Sequence, residues 1–157
     1  MSLSNIKLRQ YSQGFTIVEL LIVIVVIGIL ATITIVAYNN VISRANLTSA
    51  QAAASSVARK AEAFNAENSA YPTTLADLMN STDVNETWGI APGSYTLLTA
   101  APTAAPSSPS SIGFYACDSG DGVKVGYWDY VAGAFVSATT TTYTAGDVSG
   151  TCTLSAT

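Results

Sequence analysis

The stretch "GFTIVELLIVIVVIGILATITIVAYNN", residues 14–40, decides how this chain is read. It holds one charged side chain, Glu19, and the residues that follow it, 20–43, hold none. Phe15 to Ala37 is 23 residues, and roughly 20 helical residues cross a hydrocarbon core about 30 Å thick. The composition therefore predicts a transmembrane helix over 15–37. A carboxylate inside such a segment is costly unless it has a partner, which makes Glu19 a functional candidate. The plainer alternative is an interfacial residue that reaches back to the headgroups, since Glu19 lies only five residues past Gly14.

Working outward, the preceding "MSLSNIKLRQYSQG" is polar, with Lys7 and Arg9 as its only charges. The positive-inside rule keeps that end cytoplasmic and sends the C-terminal part across the membrane. An ordinary secretory signal would instead be cut after the apolar run, where "ATITIVAYNN" offers small residues. On the other side, no Pro or Gly occurs from residue 38 to 71, so the helix is predicted to continue. Leu47, Ala50, Ala54, Val57, Ala61 and Phe64 recur in steps of three and four, the stripe of an amphipathic helix. One helix of some 50 residues, Phe15 to about Ala66, is expected, its first half in lipid and its second against a head domain.

Pro72 ends that helix, and "TTLADLM" suggests one short helical turn. Strands are expected at 94–100, 112–117, 123–130 and 135–143, rich in β-branched and aromatic residues and broken by "DSGDG" and "VAGA". The Pro/Ser-rich connection 101–111 has little with which to build a core. The fold class is thus α+β: a lollipop with one long N-terminal helix, half transmembrane, packed on an antiparallel sheet of about four strands. Phe114, Val125, Tyr127 and Phe135 are the candidates for the sheet face that meets the Val57–Phe64 stripe.

The whole chain has 157 residues, 49% hydrophobic and 10% charged, with net charge −4. Without Lys7 and Arg9, a chain starting at Phe15 would carry −6. An acidic surface is repelled by nucleic acid, so nucleic acid is not expected as a partner. Cys117 and Cys152 both fall in the exported part, where disulfides persist, and are most simply read as one bridge. There is no His and no nucleophile–base or phosphate-loop pattern. No catalytic residue, metal ligand or cofactor is nominated, and an enzyme is not expected.

Gly14 before Phe15, then Thr16, Glu19 and an unbroken apolar helix together resemble the class III leader junction and N-terminal helix of type IV pilins and pseudopilins. The match is detailed over 14 to about 38 and looser beyond. The resemblance implies a division into a cleaved leader 1–14, a transmembrane and polymerisation helix 15–37, and a globular head 38–157. It implies that a prepilin peptidase cuts between Gly14 and Phe15 and methylates the new Phe15 amine. Glu19 would then pair with that amine, in its own chain or in a neighbouring subunit, and set axial register during assembly.

The partners so implied are further copies of the chain in a helical homopolymer, the peptidase, and a pilus assembly platform with its ATPase. The location implied is the cytoplasmic membrane first and a surface filament afterwards, with adhesion, twitching, DNA uptake or secretion as its uses. Where such proteins often have Pro, this chain has Val36, so unwinding between Gly28 and Val36 is not implied here. Alternatives are a pseudopilin of a secretion or DNA-uptake system, and a membrane-tethered binding module that never polymerises.

Two weaker signals complete the reading. Asp118, Asp121 and Asp129 could offer oxygens to Ca²⁺, but the spacing is not that of an EF-hand and a hairpin turn is favoured. Asn85 in "DVNET" resembles a bacterial N-glycosylation site, while Asn46 and Asn80 have only the shorter triplet.

Overall fold

The computed structural model describes residues 14–79, 88–117, 120–137 and 143–155. The leader charges Lys7 and Arg9, and also Asn80, Asn85 and Asp118, lie outside the described residues. Helix α1 runs Ile17–Asn68 and α2 runs Leu75–Met79, followed by strands β1 (Thr96–Leu97), β2 (Ser111–Cys117), β3 (Gly122–Asp129), β4 (Ala134–Val136), β5 (Thr144–Gly146) and β6 (Cys152–Leu154). The chain divides into two compact units between Asn39 and Asn40.

In the first unit α1 is helical through Gly28 and Val36 without interruption. Its side chains face outward: Leu20, Ile24, Ile29, Ile33 and Val36 are all exposed. Two hydroxyls in this apolar stretch are satisfied by the helix itself, Thr32 donating to the Gly28 carbonyl and Thr34 to that of Ala31. Such back-bonding lets a hydroxyl sit in an apolar surrounding without an unpaired donor.

The second unit is built on the other half of α1. Ala50, Ala53, Ala54, Val57, Ala58 and Ala61 are buried, and Leu47 and Phe64 pack at the ends of the same face. The predicted stripe is therefore the contact face, widened by Ala53 and Ala58. The middle of this face is made of small side chains, so the bulk of the core is supplied by the residues opposite. Ser69 ends the helix in the left-handed region (φ 58°), its amide donating to the Asn65 carbonyl at 2.8 Å; this is a C-cap conformation. Helix α2 opens with a capping box: the Thr74 amide donates to Asp77 Oδ2 at 2.8 Å, and the Asp77 amide returns to Thr74 Oγ1 at 3.3 Å.

The sheet has six strands in four columns. β2 pairs along one edge with β3, and its other edge is shared by β1 at Ser111–Ile112 and β6 at Tyr115–Cys117. β3 in turn shares its far edge between β4 at Tyr127–Asp129 and β5 at Gly122–Lys124. Four strand widths were legible in the sequence, but the outer two columns are each made of two short strands. β1 departs further from the expectation: it is two residues long and runs parallel to β2.

One face of the sheet meets the helix through Ile112, Phe114, Val123, Val125, Tyr127 and Ala145. Phe135, expected on that face, lies on the other. It pairs with Trp128 in register, while its neighbour Val136 packs into the core. Its ring covers the Gly113–Gly126 pair: a Cβ on either glycine would approach Phe135 Cζ to 2.9 or 2.7 Å.

Glu62 ties three parts of this unit together. Its Oε2 accepts from the Tyr71 hydroxyl at 2.9 Å and its Oε1 from the Gly146 amide at 3.3 Å. Gly146 has φ 76°, and a Cβ there would overlap the Tyr71 ring and the Asp121 carbonyl. Only glycine fits this left-handed, crowded position. At the end of α1, Phe64 and Trp88 meet edge to face, centroids 4.9 Å apart, and Trp88 Nε1 donates to Glu67 Oε2 at 2.8 Å.

Candidate functional site

The candidate site is the start of α1. Gly14, Phe15 and Thr16 precede the first helical residue, and Phe15 is 88% exposed. A Cβ on Gly14 would meet nothing within 4 Å, so the 14–15 peptide bond is not shielded by described residues.

Glu19 is engaged locally. Its Oε2 accepts from the Thr16 amide at 2.8 Å and from the Thr16 hydroxyl at 2.7 Å, and the Glu19 amide donates to Thr16 Oγ1 at 3.2 Å. Thr16 is the N-cap and Glu19 the third helical residue, so the pair forms a reciprocal capping box. It satisfies amides that have no partner within the helix and sets a negative charge at the positive end of the helix dipole. In this uncut chain the Phe15 nitrogen is a peptide amide, and the carboxylate is held by Thr16. Both bonds go to Oε2, and Oε1 accepts none among the described residues.

The sequence reading used Thr16 only as part of the leader-junction pattern and missed its capping role. The signal was present, since Thr-x-x-Glu ahead of an apolar run is a helix-start signature.

Further along, Cys117 and Cys152 stand opposite each other in the β2–β6 pair and are joined by a disulfide, with Cα atoms 3.9 Å apart. Asp129 closes the β3–β4 turn by accepting the Val131 and Ala132 amides on Oδ1, each at 2.8 Å. Among the described residues no group of three or more His, Cys, Asp or Glu stands close enough to share a metal ion.

The architecture is an α+β chain whose first helix begins with a capped, outward-facing apolar run that carries one charge, Glu19. Residues 9–35 match the prokaryotic N-terminal methylation motif. Fimbrial protein EcpC of Eikenella corrodens is similar over 43 residues at 46% identity, a stretch that spans 27% of this chain and 28% of that relative. No solved structure matches the chain.

Proposed function

We propose that this chain is a structural subunit of a type IV pilus-like filament. A prepilin peptidase cuts it after Gly14 and methylates the Phe15 amine, and the subunit then leaves the membrane to polymerise through residues 15–37. The observation that carries this reading is the joint occurrence, at one helix end, of the methylation motif, the Thr16–Glu19 box and an apolar surface left exposed among the described residues.

The cut creates a cation beside an existing anion. A lone carboxylate in an apolar packing of helices is strongly destabilising, whereas a hydrogen-bonded pair is tolerated. Because Thr16 occupies Oε2, Glu19 Oε1 is available to the Phe15 amine of a neighbouring subunit while the helix stays capped. Any axial slip between subunits separates that pair, so the pair selects the register. The head, held by the Cys117–Cys152 bridge, forms the outer surface of the filament.

Mass spectrometry of shear-released surface filaments tests the proposal. The expected N-terminal peptide begins at Phe15 and carries one extra methyl group. Full-length protein confined to the membrane, with no filament containing it, would instead make the chain a tethered extracytoplasmic module.

A further inference from the structure

Val131 stands apart from the rest of the head. It is 55% exposed, and every other large apolar side chain exposed to a comparable degree among the described residues lies between Phe15 and Ile42. It sits at the tip of the β3–β4 hairpin and lines a surface hollow with Asn40, Ser43, Arg44 and Tyr130. Val41 and Ile42, in the same turn of α1, are also exposed. A single surface valine is ordinary, but here the tip adjoins the turn of helix that follows the apolar run.

The tip is also built to lose water. Residues 130–134 carry no charge. The amides of Val131 and Ala132 go to Asp129 Oδ1 and that of Gly133 to the Asp129 carbonyl at 2.8 Å. The Asp129 carboxylate is thus turned onto the turn's own backbone, and the Tyr130 hydroxyl donates to the Pro106 carbonyl at 3.1 Å. Donors satisfied internally are what a segment needs to enter a poorly hydrated layer.

We infer that this tip is a foot that rests in the lipid headgroup layer of the membrane that residues 15–37 span, on the side to which the head is exported. Val131 enters that layer, and Arg44, at its outer edge, reaches back to the phosphates. The inference rests on the membrane-spanning reading of the helix. If the hydrocarbon ends near Ala37, Asn40 to Arg44 fall about 5 to 10 Å beyond it at 1.5 Å per residue, and the headgroup layer is roughly 5 to 8 Å deep on each side. The hollow shared with Val131 therefore runs from within the headgroup layer, at Asn40, to just past its outer edge, at Arg44. Arg44 supplies the charge complementarity: a guanidinium fork suits phosphate oxygens, and no other charge occurs between Glu19 and residue 44. The foot would hold the head at a fixed height until the subunit is drawn into a filament.

The test uses the full chain in phosphatidylcholine–phosphatidylglycerol vesicles, with the native disulfide kept oxidised. Val131→Cys carries an environment-sensitive fluorophore, and Ala66→Cys, about 33 Å further along the helix, is the reference. Phospholipids with a quencher near the top of the acyl chain should dim the label at 131 at least about twofold more than at 66, as for groups held 5–10 Å into the boundary. Arg44→Gln should weaken that quenching. Equal quenching at both positions overturns the foot. So does a blue shift at 131 that grows with protein density without lipid quenching, which would assign the patch to a second copy. Protein that washes off the vesicles at alkaline pH would refute the membrane span itself.

Discussion

Thr16 and Glu19 hold each other through three hydrogen bonds, the shortest 2.7 Å between the Thr16 hydroxyl and Glu19 Oε2. The carboxylate therefore has two separable properties, acceptor and charge. Glu19→Gln keeps an oxygen for the Thr16 amide and removes the charge. Normal leader cleavage with loss of surface filaments is the expected outcome, read by immunoblot of sheared and cell-bound fractions. Filaments at wild-type yield would defeat the idea that the charge sets register.

Thr16→Val removes the hydroxyl at nearly constant volume, and Thr16→Ser restores it. Loss of an N-cap costs about 0.5–2 kcal/mol, and here it also leaves the carboxylate with one partner fewer. Reduced filament yield in the valine variant and near-normal yield in the serine variant are expected. Equal yields would make the cap incidental to assembly.

The Phe135 ring over paired glycines makes a double-mutant prediction. The three atoms nearest a Cβ on Gly113 all belong to side chains, whereas one on Gly126 also comes to 2.9 Å from the Val136 carbonyl oxygen. Each Ala substitution should destabilise the head by about 1–3 kcal/mol through overpacking. Adding Phe135→Ala should relieve the cost of Gly113→Ala and leave much of that of Gly126→Ala, a difference read from denaturant midpoints in detergent. Equal relief at both sites would refute the backbone contact.

Three tyrosines make the head sensitive to alkali. Burial pushes the hydroxyls of Tyr115 and Tyr130 above the usual tyrosine range; burial also raises Tyr71, helped by its bond to Glu62 and that residue's charge. An unfolded tyrosine ionises near pH 10, so above that value the unfolded chain gives up protons that the folded one keeps. Stability is then intact below about pH 10 and falls as pH rises through the folded values. Tyr71→Phe should flatten part of this slope; an unchanged slope would show that Tyr71 does not contribute.

Reduction of Cys117–Cys152 frees a segment with a sequence separation of 35, and loop entropy alone predicts a loss of about 4 kcal/mol. A urea midpoint unchanged by reductant would show that the strand pairing alone holds β6.

The legible parts of this fold were those set by local pattern. The three-and-four spacing from Leu47 to Phe64 placed the helix face, and α1 ends within two residues of its expected bounds because no breaker intervenes before Pro72. What escaped was non-local. The parallel pairing of Thr96–Leu97 with β2 depends on how residues 98–110 close, and nothing in a two-residue strand announces it. Phe135 was assigned to the wrong face because a shift of one residue in a strand reverses every side chain. At the site, Glu19 was conspicuous as a lone charge, whereas Thr16 was read only as part of the leader junction and its pairing with Glu19, three residues away, was missed.

The bridge between the middle of the sheet and the last strand also governs how far the chain can be drawn out. With the two sulfurs joined, a pull on the C-terminus passes from Cys152 directly to Cys117. The residues between them stay slack. About 120 Å of contour, at roughly 3.4 Å per residue, is thereby withheld from extension. Under tension the oxidised head is shorter and stiffer than its reduced form.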